Sequence, residues 1–299
     1  MKPPSFIEPL HWPELALQNS SADTLRLDKI HPIISGNKAF KLKEHLRLAT
    51  ASPHASVITF GGAWSNHLVA TAYAAKQAGL KAIGIVRGEQ PFALSSTLQE
   101  ATAYDMHLEF ISRQQYAQKD EPHFLQALGD RYPGAYIIPE GGGGLPGIRG
   151  SETILCKTDA ASYTHIFCAL GTGTTWLGLI RAATPAQKII GVPVLKGIES
   201  IDAADHQKWL TPAQTERAGL LTGYHFGGYA RHPQVLLDFM NRLYEETGIP
   251  TDIVYTGKLF YAVRDSLIRG VFPHHSRLLV IHSGGLQGNR SLRPGLLNF

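Results

Sequence analysis

Short runs of β-branched and apolar residues recur along the chain at 56–60, 81–86, 107–112, 135–139, 164–170, 188–195 and 277–282. Runs of this length, bounded by turn-forming residues, read as buried strands. Between several of them the apolar positions change to helical spacing, as at 67–78 and 176–183. Strand and helix therefore alternate, which predicts an α/β chain of open, twisted parallel sheets flanked by helices.

One design occurs twice. Residues 57–86 and 166–195 each read strand, turn, helix, strand. The first turn is Gly61-Gly62-Ala63-Trp64-Ser65-Asn66, and the second is Gly171-Thr172-Gly173-Thr174-Thr175. Glycine lets the backbone turn tightly and approach a ligand, Ser, Thr and Asn cap the helix, and the N–H groups at a helix start carry partial positive charge. Each turn is a candidate anion cradle.

The second turn narrows the choice of anion. It holds no Lys or Arg, and it is neither GxxxxGK[ST] nor GxGxxG, since Thr175-Trp176 stand where the last glycine would fall. That disfavours a nucleoside triphosphate or a dinucleotide. A monophosphate held by backbone N–H groups and the hydroxyls of Thr172, Thr174 and Thr175 fits, with the helix dipole contributing about 0.3–1 kcal/mol.

Composition adds bounds. A chain of 299 residues, 43% hydrophobic and 17% charged, is long enough for two domains and is not of disordered composition. A net charge of +4, without a Lys/Arg block, does not suggest a nucleic-acid partner. Only Cys156 and Cys168 are present, and the 14 His show no ligand spacing, so neither a disulfide framework nor a metal site is expected. The first 13 residues lack the pattern of a secretory leader and no stretch has the length of a membrane span, so the expected location is the cytoplasm.

Ser35-Gly36-Asn37-Lys38 is a turn that opens an apparent helix. Taken alone, Lys38 is an ordinary solvated lysine. Beside a phosphate cradle it gains a second reading, as the amine that forms a Schiff base with an aldehyde cofactor.

The whole-chain pattern resembles the fold-type II pyridoxal-phosphate enzymes, specifically the D-cysteine desulfhydrase and 1-aminocyclopropane-1-carboxylate deaminase family. Five segments carry the likeness in the family's order: Gly36-Asn37-Lys38 with Lys41-Leu42; Gly61-Gly62 with Ser65-Asn66-His67; residues 171–175; Val254-Tyr255-Thr256-Gly257-Lys258; and His282-Ser283-Gly284-Gly285. The resemblance implies the two-domain, tryptophan synthase β-like fold. The larger domain would take 1–50 and 149–299, with a smaller domain, 51–148, inserted between them and the site in a cleft.

It further implies pyridoxal 5'-phosphate as cofactor, with Lys38 as Schiff-base lysine and Asn66 on the ring hydroxyl. Gly171, Thr172, Gly173, Thr174 and Thr175 would hold the phosphate. Ser65, Asn66 and His67, with Ser283, would meet the substrate, Ser65 also acting in catalysis, and Tyr229 and Tyr255 match two active-site tyrosines. The implied partners are a small amino acid and a second copy of the chain.

Two positions separate the branches. Where the deaminases have an acidic residue beside the tyrosine and a Leu after the histidine, this chain has Thr256 and Ser283. A carboxylate at the pyridine nitrogen would deepen the electron sink, whereas a hydroxyl offers a neutral hydrogen bond, which suits β-elimination better than ring opening. The chain therefore sides with the desulfhydrases. The deaminase reaction, racemisation, β-replacement and a non-catalytic binding role stay open as alternatives. Phe40 in place of an Arg, and the stretch from Leu286 to Arg290, depart from the family's pattern. Glycine-rich 140–150 reads as an inter-domain connection, or else as a loop bordering the cleft.

Overall fold

The computed structural model describes residues 6–51, 56–197 and 208–299. In chain order it forms β1 (Ile7–Leu10), α1 (Pro13–Leu17), β2 (Ser21–Arg26), α2 (Asn37–Ala51), β3 (Ser56–Gly61) and α3 (Asn66–Gln77). Next come β4 (Lys81–Arg87), α4 (Ser96–Ala103), β5 (Met106–Ile111), α5 (Arg113–Tyr116), α6 (Pro122–Arg131), β6 (Tyr136–Ile137) and α7 (Gly144–Glu152). The remainder holds β7 (His165–Leu170), α8 (Thr174–Ala182), β8 (Lys188–Pro193), α9 (Pro212–Thr215), β9 (Ala218–Leu220), α10 (Gln234–Thr247), α11 (Thr256–Ile268) and β10 (Arg277–His282).

Two compact units share the chain. The first takes the residues up to Ile30, then Ser35–Asn37 and Ser151–Phe299; the second takes His31–Ile34 and Lys38–Gly150. Most of α2 thus falls in the second unit, although the sequence-based division places it in the first. Its Leu42 and Ala49 lie in one buried cluster with Val57, Leu68 and Leu98. Each fully buried leucine of that cluster contributes about 1.5–3 kcal/mol, which ties the helix to this core.

The second unit is built on a four-stranded sheet in the order β5-β4-β3-β6, with every neighbouring pair parallel. The first has a six-stranded sheet in the order β1-β2-β10-β7-β8-β9, parallel except for the β1/β2 pair. In each sheet one glycine-rich turn follows the carboxyl end of a parallel strand, β3 or β7, where ligands of open α/β sheets bind.

The expected strands all form, although β6 keeps only two residues. Strands β1, β2 and β9 carry no apolar run. In β2 the buried Arg26 is neutralised by Glu8 and Asp28, so this strand holds a charge inside the sheet through ion pairs that hydrophobic patterning does not reveal. Glycine-rich 140–150 is a turn followed by α7 rather than a bare connection. It presses on α2 closely enough that a Cβ on Gly150 would meet the Phe40 carbonyl oxygen at 2.0 Å.

Candidate active site

In the first unit the 171–175 turn leads from β7 into α8. Gly173 stands at the helix N-cap in the left-handed region, φ +75°, and has no side chain with which to cap the helix. Thr174 and Thr175 are buried, Thr172 is exposed, and the hydroxyls of Thr172 and Thr174 lie 3.1 Å apart. Asn37 Nδ2 donates to Thr175 Oγ1 at 2.9 Å. The residue immediately before Lys38 is therefore fastened to the threonine turn.

A second tie fixes the same point of the chain. Asn37 N donates to the Ser283 carbonyl oxygen at 3.0 Å. Gly36, φ +69°, and Gly284, φ +72°, let the two backbones meet: a Cβ on Gly36 would fall 1.7 Å from the Ser283 oxygen, and one on Gly284 would fall 2.8 Å from Gly36 Cα. Only glycine fits both the space and the backbone angle. Buried His282 holds the following turn, with Nε2–H donating to the Pro250 carbonyl oxygen at 2.7 Å and Nδ1 lying 3.2 Å from Asp28 Oδ1 and 3.3 Å from Gly284 N. Burial, the largest influence, lowers its pKa, against the opposing pull of the Asp28 carboxylate.

Tyr255 also belongs to this neighbourhood, because a Cβ on Gly171 would lie 3.3 Å from its Cε1. It caps α11, whose first turn is organised by a residue that sequence reasoning passed over. The Asp252 carboxylate accepts from the backbone N–H groups of Val254, Tyr255 and Thr256 at 2.8–3.0 Å, and from Thr256 Oγ1 at 2.7 Å. Thr256 Oγ1 in turn accepts from Asp252 N at 2.7 Å. The hydroxyl proton expected to serve a ring nitrogen is thus given to Asp252. The spacing of Asp252 four residues ahead of Thr256 was the available signal for this helix start.

Lys258 is fully buried, and its amine donates to the carbonyl oxygens of Val194, His225 and Gly228 at 3.1, 2.9 and 2.7 Å. Burial brings its pKa down to about 8. Those bonds clamp the base of the loop that carries Tyr229, which is itself 47% exposed.

The second unit holds Lys38 and the 61–66 turn. Ser65 is the N-cap of α3, and its Oγ accepts from Leu68 N at 3.4 Å. Asn66 opens the helix, and His67 follows it into the interior. Thr59 Oγ1 donates to the Ile138 carbonyl oxygen at 3.0 Å, so it accepts from His67 Nε2–H at 2.7 Å. That leaves Nδ1 of His67 buried as an acceptor without a hydrogen-bond partner among the described residues. Burial first, then the nearby charges of Lys38 and Lys41, hold the imidazole pKa well below its ordinary value. Lys38, half-buried at the start of α2, and neutral His67 therefore share one electrostatic neighbourhood.

These features fit a small phosphorylated aldehyde. A glycine-started, threonine-lined helix end suits a phosphate, and the residue bonded to that turn is followed directly by Lys38, whose amine can bond an aldehyde. The profile of the family described as pyridoxal-phosphate dependent enzyme matches residues 9–284. The chain belongs to that family. Its cofactor is pyridoxal 5'-phosphate, whose phosphate suits the threonine turn.

Individual relatives agree. The chain is 27% identical over 317 residues to the bifunctional D-cysteine desulfhydrase/1-aminocyclopropane-1-carboxylate deaminase of Arabidopsis thaliana, covering 94% of this chain and 76% of that protein. It is 25% identical to the D-cysteine desulfhydrase of Salmonella typhi, covering 87% and 86%. Among solved structures it resembles an ACC deaminase homologue with a TM-score of 0.79 and 25% identity, covering 95% of this chain and 90% of that one. The fold is also that of O-ureido-L-serine synthase, with a TM-score of 0.69 at 17% identity. Among the described residues no helix is long and apolar enough to cross a membrane.

Proposed function

We propose that the protein catalyses a pyridoxal-phosphate-dependent α,β-elimination on a small amino acid, with D-cysteine as substrate and pyruvate, ammonia and sulfide as products. The observation that carries this reading is the Asn37–Thr175 hydrogen bond, which ties the residue preceding Lys38 to the threonine turn. When bound, the cofactor supplies an electron sink for the pair left at the α-carbon. Gly171, Thr172, Gly173, Thr174 and Thr175 hold its phosphate and Lys38 anchors its aldehyde.

The remaining work falls to side chains and backbone. Ser65 and Asn66 meet the substrate α-carboxylate at the start of α3. His67 adds no positive charge there, since burial keeps it neutral, and it acts by bracing the turn through Thr59. Once the substrate amine has displaced it from the aldehyde, Lys38 Nζ or a neighbouring hydroxyl takes the α-proton while the β-thiolate leaves with its bonding pair, and water converts the resulting unsaturated amine to pyruvate and ammonia. Tyr229 and Tyr255 supply hydroxyls near the reacting groups, and Ser283 lines the substrate side. Thr256 gives its hydroxyl proton to Asp252 and accepts from Asp252 N, so it offers the pyridine nitrogen neither a carboxylate nor a donated hydrogen bond.

An absorbance scan of the purified protein during titration with D- and L-amino acids, with keto acid and sulfide assayed in parallel, tests the reading. Selective quenching by D-cysteine with release of pyruvate and sulfide is expected; unchanged absorbance and no keto acid from any amino acid would sink it. The bifunctional plant relative keeps ring opening of 1-aminocyclopropane-1-carboxylate as a second reading, and 2-oxobutyrate release would reveal it. The family likeness also supports a cytoplasmic homodimer, for which light scattering at twice the 32.7 kDa chain mass is the check on assembly.

A further inference from the structure

The second unit has a pocket that the elimination chemistry does not use. It is an open cavity of about 440 Å³ lined by Arg87, Arg113, Tyr116, Ala117, Lys119 and Glu140. Arg87 ends β4, Arg113 follows β5 and Glu140 follows β6, so the lining gathers at the carboxyl edge of an all-parallel sheet. The 61–66 turn leaves β3 at that same edge.

Three cations face one carboxylate there, and the carboxylate is already engaged. Glu140 accepts from Tyr116 Oη at 2.8 Å and pairs with Lys119 at 3.4 Å, while Lys119 also pairs with Asp120 at 2.8 Å. Tyr116 is buried, and burial first, then the neighbouring Glu140 charge, push its phenol pKa upward, so it remains a neutral floor. Above its ring stand the Arg87 guanidinium at 5.7 Å and the Lys119 amine at 5.6 Å. Arg87 and Arg113 have no carboxylate partner among the described residues. Two guanidinium groups at one concave site, with their charge uncompensated, favour an anion that can accept paired hydrogen bonds.

Arg87 links the pocket to the turn assigned to the substrate α-carboxylate. A Cβ placed on Gly62 would lie 3.5 Å from Arg87 Nη2, so the guanidinium reaches from the turn to the ring of Tyr116. We propose that this pocket receives a second anionic group carried on the side chain of the amino-acid substrate, of the phosphate, sulfate or carboxylate class. This rests on the elimination reading above and widens its substrates: D-cysteine reacts without filling the pocket, and an amino acid with an acidic side chain fills it. A substrate with a neutral side chain leaves the two arginines to water, whereas an acidic side chain exchanges that water for charge-assisted hydrogen bonds.

The test uses the cofactor-saturated full-length protein, in which the phosphate turn is already filled. Phenylglyoxal labelling of arginines is mapped by mass spectrometry with inorganic phosphate, O-phosphoserine or serine present, using both enantiomers of each amino acid. Phosphate and O-phosphoserine should slow labelling of Arg87 and Arg113 by about tenfold, the effect of one charge-assisted bond, while serine does not. In a folded R87Q/R113Q variant, the kcat/KM preference for O-phosphoserine over serine should fall by about tenfold or more. Absent protection, or an unaltered preference in the double variant, overturns the proposal. Protection by inorganic phosphate without protection by O-phosphoserine also overturns it, because the pocket would then serve a free anion. If no amino acid yields keto acid, the elimination reading fails, while the O-phosphoserine and serine labelling arms still decide the pocket.

Discussion

The two glycine-rich turns begin alike and end differently. At the 61–66 turn the helix start is capped by its own Ser65 hydroxyl, whereas at the 171–175 turn the capping position is Gly173 and brings no side chain. Removing the cap side chain leaves the first N–H groups of α8 to be matched from outside the helix. A capped helix start is complete in itself, and an uncapped one is shaped for a ligand. This difference supports the proposed division, with the fixed phosphate at the second turn and the exchangeable substrate carboxylate at the first.

The largest expected effect comes from Lys38→Ala, which should cut keto-acid release by about 10³-fold or more and abolish the visible absorbance of the cofactor-loaded protein. Retained absorbance would place the anchor elsewhere and dissolve the contrast between the turns. Next in size is Gly36→Ala, whose Cβ would collide with the Ser283 oxygen while holding φ +69°. A loss of about 3 kcal/mol or more is expected in denaturant unfolding, whereas Gly62→Ala, with nothing nearer than Arg87 Nη2 at 3.5 Å, should change stability by under about 1 kcal/mol.

Lys258→Met probes the loop beneath Tyr229 through pH. The buried amine has a folded-state pKa of about 8 against the ordinary 10.5. Between those values the folded protein has released a proton that the unfolded chain still binds, so stability gained from this group grows as pH rises through the window. Wild type should therefore gain on the variant by on the order of 2 kcal/mol from pH 8 to 10.5 in thermal or urea unfolding. A constant difference would count against a buried ammonium.

The smallest effects sharpen the contrast directly. Ser65→Ala should lose about 1 kcal/mol of stability and raise KM for the amino acid with cofactor affinity unchanged. Thr175→Val should do the reverse, loosening the cofactor in equilibrium dialysis through loss of the Asn37 bond and leaving KM little altered. Equal responses from both variants would mean that the turns do not divide the labour.

Much of this was legible in the chain itself. The parallel strands and both turns follow from apolar runs and glycine, because a strand buried on both faces needs nothing else. Strands β2 and β9 did not, since β2 buries Arg26 through ion pairs and β9 is three residues long. In the site, Lys38 and the threonines stand out by type and spacing. Asp252 and Thr59 do not, because each acts through another side chain, Thr256 or His67, and such a role exists only once the fold has brought the pair together. The same holds for Lys258, whose partners are three backbone carbonyls that no residue identity announces.

The pairing of β2 with β10, Ser21 beside Arg277, has a consequence for biosynthesis. The six-stranded sheet cannot close until the ribosome has delivered β10, well after Gly150, whereas Lys38–Gly150 is one uninterrupted stretch that can collapse while translation continues. The nascent chain therefore completes the unit that holds Lys38 first and must keep the earlier β1 and β2 strands waiting, with their edges exposed, until β10 emerges.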